Sequence, residues 1–130
     1  MLRALSGISV FLVLLLSSPV HAQVMNASDS LIADRNKMSK QIIQLRDTIS
    51  IRIIDINSKI SESTATSKPV IEKATRDMKF YQAQLEKGLD EIINTKVWQT
   101  DIKDRSTRLL VDMRQKFKIT EKELEKVGHP

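Results

Sequence analysis

The chain contains no cysteine. That excludes a disulfide scaffold, a cysteine-ligated zinc site, a thiol nucleophile and a lipoprotein anchor, each of which needs a sulfur atom. Three glycines and three prolines in 130 residues are too few for the many turns of an all-β chain. Aromatic residues make up 4% of the sequence, which leaves no stacking platform for single-stranded nucleic acid. Histidine is also scarce. His21 falls in the first 22 residues, and His129 stands beside the terminal Pro130, where a loose chain end is expected. Neither arrangement supplies an imidazole ligand cluster or general base.

Motifs that carry chemistry are missing too. There is no G-x-S-x-G, P-loop or H-E-x-x-H pattern,. The carboxylate pairs Asp90/Glu91 and Glu121/Glu123 are expected on solvent-facing turns, without a pocket to drive their pKa values apart. Met25, Met38, Met78 and Met113 offer thioethers, but three of the four fall on apolar helical stripes and read as core rather than copper ligands. The expectation is a protein with no catalytic residues, no cofactor and no metal.

Long apolar runs are confined to the start. Arg3 gives a short positive region, Ile8-Ser-Val-Phe-Leu-Val-Leu-Leu-Leu16 an apolar one, and Val20-His-Ala22 a small-residue site before Gln23. Those are the three parts of a secretory signal peptide. Residues 4–22 carry no charged side chain, so a retained membrane anchor is the rival reading. The short apolar centre and Pro19 favour cleavage after Ala22. Residues 1–22 are therefore read as a signal peptide and 23–130 as one exported helical domain, periplasmic or secreted. A cysteine-free exported chain favours a bacterial periplasm.

Charge comes next. Lys and Arg number 21 against 16 Asp and Glu, and without Arg3 the exported part carries a net +4. Most of that excess lies in residues 95–130, where nine bases face six acids. An interleaved excess of this size reads as a solvated helix surface with some attraction for anionic lipid or acidic protein. No basic cluster or nucleic-acid motif accompanies it, so no nucleic-acid partner is expected.

The fold is legible in helical periodicity. Leu31, Met38, Ile42, Leu45, Ile49, Ile53, Ile56 and Ile60 fall on one face, with a period of about 3.67 residues between Met38 and Ile60. A second line, Ile32, Ile43 and Ile54, lies about 100° round the helix and widens the face enough to need two neighbours. Asn26, Ser28, Asp29 and Ser30 are candidate N-caps. Ser61-Glu-Ser-Thr-Ala-Thr-Ser67 has no apolar period and reads as a loop. Pro69 then suits a first helical turn. Ile71, Ala74, Met78, Tyr81, Leu85, Leu89 and Ile92 form the next stripe, with Gly88 off it at a cost of up to about 1 kcal/mol.

After Ile92 the stripe fails. Apolar residues resume at Trp98, Ile102, Leu109, Met113, Phe117 and Leu124 on a face rotated by about 100°. Either the chain turns near residues 94–98, or one helix of roughly 75 Å runs on and changes partners. The turn is favoured, because the long helix would need another chain to cover it. Thr120/Glu123 resemble a capping box and Ile119/Leu124 a hydrophobic staple. Either a last short helix or continuation of the third is compatible with them.

The fold class is therefore all-α. It is an antiparallel three-helix bundle or a long coiled-coil-like hairpin, after a signal peptide, with helices at roughly 29–61, 69–94 and 98–127 and a loop at 61–68. Residues left off the stripes mark candidate contacts. Ile51 points away from the first stripe and Phe80 lies about 140° from the second. Trp98 stands at the phase jump, as core lid or contact residue. Together Ile51, Phe80 and Trp98 are the partner-binding candidates.

The function expected is that of an exported non-enzymatic protein acting through protein–protein contacts. Its partners would be envelope proteins or further copies of itself, as in a bacterial envelope or secretion assembly. Two alternatives stay open. One is a holdase-like periplasmic chaperone. The other is peripheral contact with an anionic membrane through the basic C-terminal segment.

Overall fold

The computed structural model describes residues 18–129. Regular structure there is entirely helical: α1 (Ser18–Ser58), a 3-10 turn (Ile60–Glu62), α2 (Ser67–Asn94) and α3 (Thr100–Lys126). The apolar run Ile8–Leu16 of the expected signal peptide lies outside the described residues. The chain divides into two compact units, residues 1–34 and 35–130.

In the first unit the described backbone is the opening of α1. The described helix already runs from Ser18, so Asn26, Ser28, Asp29 and Ser30 lie inside it instead of capping it. Leu31 and Ile32, both on the apolar lines of the sequence, are exposed here.

The second unit is a three-helix bundle. Thr75 Oγ1 donates to Asn57 Oδ1 at 3.4 Å, Gln82 Nε2 to Ser50 Oγ at 2.9 Å, and Arg35 to the Ile92 carbonyl at 2.6 Å. Rising numbers on one helix meet falling numbers on the other, so α2 runs antiparallel to α1. Tyr81 meets Thr120 at 3.2 Å and Lys73 meets Glu123 at 4.0 Å, which makes α3 antiparallel to α2. Arg52 reaches Glu121 at 2.9 Å and ties α1 to the parallel α3.

Period-3.6 spacing decides which side chains this packing covers. On α1, Met38, Ile42, Ile49, Ile53 and Ile56 are buried, with Leu45 and Ile60 packed against them. All seven residues of the α2 stripe are buried. The second α1 line behaves otherwise: Ile43 is half-buried and Ile54 is 70% exposed. An 11-residue step overshoots three turns of a straight helix by about 20°, so each repeat of that line turns further from the core.

The phase jump is a turn. Residues 95–99 leave the helix, and Trp98 folds onto the core at 8% exposure. α3 then presents Leu110, which lies off the expected stripe, together with Met113 and Leu124, while Leu109 and Phe117 are only half-buried. Ser106 and Thr120 are buried as well. The Thr120 hydroxyl is satisfied by the Lys116 carbonyl at 3.1 Å and by Tyr81. It therefore caps no new helix: α3 runs on to Lys126, and Ile119 of the expected staple is exposed.

Both ends of the α2–α3 hairpin are closed by local chemistry. In the hydroxyl-rich segment, Thr64 N–H donates to Ser67 Oγ at 2.9 Å and Ser67 N–H to Thr64 Oγ1 at 3.1 Å. This is a reciprocal cap of the capping-box kind, built from two hydroxyls. At the far end Gly128 has φ 81°, a conformation that only glycine adopts without cost. Its N–H donates to the Glu125 carbonyl at 3.1 Å and that of His129 to Leu124 at 3.0 Å, which is a Schellman stop. His129 is thus no loose end, since its own carbonyl accepts from Arg52 at 3.0 Å.

Gly88, off the apolar stripe in sequence, is buried where α2 approaches α3. A Cβ there would overlap Cδ2 of Leu109. Alanine gains up to about 1 kcal/mol of helix propensity against the work of turning one flexible leucine terminus. Leucine has no such escape. Gly88→Leu should lower stability by about 1–3 kcal/mol, read as the midpoint of chemical denaturation, with Gly88→Ala staying near the parent.

Candidate interaction surfaces

Of the three sequence-marked residues, the structure keeps two on the surface and takes one inside. Ile51 on α1 is 69% exposed and Phe80 on α2 is 55% exposed. They lie on different helices. Phe80 packs its ring edge against Tyr81, with centroids 6.4 Å apart. Trp98 is buried, which resolves its two sequence readings in favour of the core.

Sequence reasoning missed Ile54, because it placed that residue on an apolar line. It stands three residues from Ile51, and residues so spaced are neighbours on a helix surface. Together they make a branched aliphatic pair on the outer side of α1. The 20° drift of that line carries Ile54 outward, a shift that counts only once the neighbouring helices are in place. Ile93, near the end of α2, and Val97, within the turn that follows, are exposed too.

A shallow pocket of about 190 Å³ lies between α2 and α3, lined by Gln84, Lys87, Gly88, Glu91, Arg105 and Leu109. Arg105 bonds Glu91 across it and also meets Asp101 at 3.6 Å. The pocket also takes in the buried Ser106, but no histidine lines it to activate that hydroxyl, and its remaining polar groups are the ion pair, Gln84 and Lys87,. Among the described residues, no group of three His, Cys, Asp or Glu is placed to hold a metal ion. Every buried side-chain nitrogen and oxygen there has a partner. Met38, Met78 and Met113 are core residues. No helix among the described residues is long and apolar enough to cross a membrane.

Ion pairs fix the helices more than they build sites. Acid four residues before base pairs at Asp101–Arg105 and at Asp112–Lys116, the latter at 2.9 Å, and Asp55–Lys59 and the reversed Lys73–Asp77 join them at 3.1 and 2.6 Å,. The hydrogen bond from Lys59, with help from Arg52, holds the Asp55 carboxyl below its ordinary 3.8. The hydrogen bond to Asp77 holds the Lys73 ammonium above its ordinary 10.5.

A depressed acid stabilises the fold above its unfolded pKa, and that gain goes as pH falls through the folded value. A raised base stabilises it below the unfolded pKa, and the gain goes as pH rises through the folded value. Denaturation midpoints should therefore be flat from about pH 5 to 9 and fall at both ends. Asp77→Asn should flatten the alkaline limb.

No protein-family model matches the chain, and no curated protein or solved structure is significantly similar to it. Its function is therefore argued from its own surfaces.

Proposed function

We propose that the protein is an exported, non-enzymatic helical bundle that works through protein–protein contact, as a component of an envelope or secretion assembly. The observation that carries this reading is the Ile51/Ile54 pair, 69% and 70% exposed on a helix whose opposite face packs into the core from Met38 to Ile56. Two branched aliphatic side chains one helical turn apart form the ridge that a partner helix or groove accepts. Burying them would remove from water surface worth about 1.5–3 kcal/mol each.

Export rests on the order Arg3, Ile8–Leu16, Val20-His-Ala22, and N-terminal sequencing of the exported protein should begin at Gln23. Contact is tested by a photo-cross-linking residue at position 54 in the native host, with position 72 on exposed α2 as control. One dominant adduct from 54, absent from 72 and lost on Ile51→Ser, supports the reading. A broad spread of adducts would favour the chaperone alternative, and equal yields from both positions would remove the surface altogether.

A further inference from the structure

A second surface stands out once the partners of each charge on α3 are followed. Four of that helix's acids are engaged in pairs. Asp101 bonds Arg105, Asp112 bonds Lys116, Glu121 bonds Arg52 of α1, and Glu123 approaches Lys73 of α2. Two of these pairs turn the carboxylates toward the neighbouring helices. Left over are Arg108, Arg114, Lys118, Lys122 and Lys126, all exposed and none in an ion pair among the described residues. Asp104 and Glu125 are the unpaired acids of the same helix.

Arg114, Lys118, Lys122 and Lys126 succeed one another at intervals of four. Like charges so spaced are neighbours and repel, at a few tenths of a kcal/mol per pair. A helix serving only its own stability would alternate the signs. Val111 and Ile119, 56% and 50% exposed, lie among these cations. From Arg108 to Lys126 the ridge runs about 27 Å at 1.5 Å per residue. None of its exposed residues is an aromatic that could stack on a base,.

We infer that the outer face of α3 docks on an anionic lipid surface, its five free cations meeting headgroup phosphates while Val111 and Ile119 reach the acyl boundary. Cations interspersed with aliphatic side chains along a convex ridge complement a plane of negative charge over hydrocarbon. The attraction is additive per cation, about fivefold in affinity for each, and is screened by salt. This surface is separate from the Ile51/Ile54 pair, so the two readings stand or fall independently.

The test is flotation of the full chain with vesicles of 30% phosphatidylglycerol in phosphatidylcholine, against phosphatidylcholine alone. Residues 1–22 are common to every variant, so differences between variants report the stripe. The expected result is a salt-sensitive preference for the anionic vesicles, which Arg114→Gln/Lys118→Gln/Lys122→Gln weakens about a hundredfold. Lys68→Gln/Lys79→Gln/Lys87→Gln removes equal charge from α2 and should change it far less. Circular dichroism establishes that both variants are folded. Equal losses from the two triples would mean net charge alone and overturn the site. No preference for anionic vesicles at low salt would overturn it as well, as would stripe-dependent binding to polyglutamate without any to lipid.

Discussion

Replacing Trp98 by alanine should lower stability by about 3–5 kcal/mol, the usual range for deleting a buried large aromatic side chain. In a domain of this size that corresponds to a fall in Tm of roughly 12 °C or more. The expectation follows from its 8% exposure within a turn that has no other buried residue. Residues 95–99 are held to the bundle mainly by this indole, since neighbouring Lys96 and Val97 are exposed. Trp98→Phe keeps much of the apolar contact and should lose less. Thermal denaturation followed by circular dichroism decides it. An unchanged midpoint with lost partner binding would return Trp98 to the role of contact residue.

Arg52→Ala is the second large effect, expected at about 2–3 kcal/mol. Its side chain is 13% exposed and bridges three places: Nε to Glu121 at 2.9 Å, Nη1 to Asp55 at 2.5 Å and Nη2 to the His129 carbonyl at 3.0 Å. Truncation leaves the half-buried Glu121 carboxylate and the His129 carbonyl without the arginine donor. It also removes the apolar stem of the arginine from the α1–α3 contact. Arg52→Lys should recover little, because an ammonium cannot span three acceptors set in the fork geometry of a guanidinium. A double-mutant cycle with Glu121→Ala, read in chemical denaturation, should give a coupling of about 1 kcal/mol or more. Additive losses would mean that the pair is only adjacent.

Most of the second helix was readable in advance. Its stripe, Ile71 to Ile92, is buried at every position because 3.6-residue spacing and one pair of neighbours are enough to define it. The turn at 95–99 was readable for the same reason. A helix cannot rotate its apolar face by 100° without changing partners, and no second chain was needed once α3 folded back. The third helix was read less well. Its face is centred on Leu110 and includes Ser106 and Thr120, two hydroxyls that apolar counting passes over and that local carbonyls and Tyr81 make tolerable inside.

The candidate surfaces divide in the same way. Ile51 and Phe80 were visible as off-stripe residues, since their angle to the core depends only on helix geometry. Ile54 was not, because its line drifts outward by small steps that matter only when the positions of α2 and α3 are known. The basic stripe of α3 was visible in the sequence as a modest excess of charge. Which cations are free depends on where Glu121 and Glu123 find partners, on helices some 50 to 70 residues away.

Sequence alone therefore determined the helical class, the apolar stripes of the first two helices and the off-stripe places of Ile51 and Phe80, and it favoured a turn before the third helix. All of these follow from interactions within about one helical turn. Tertiary structure alone decided the fate of residues whose partners are distant in the chain. It buried Trp98, closed Gly88 against Leu109, exposed Ile54, tied His129 to Arg52 and left five cations of α3 unpaired. Burial and charge pairing are properties of the space between helices, and that space exists only once the helices have met.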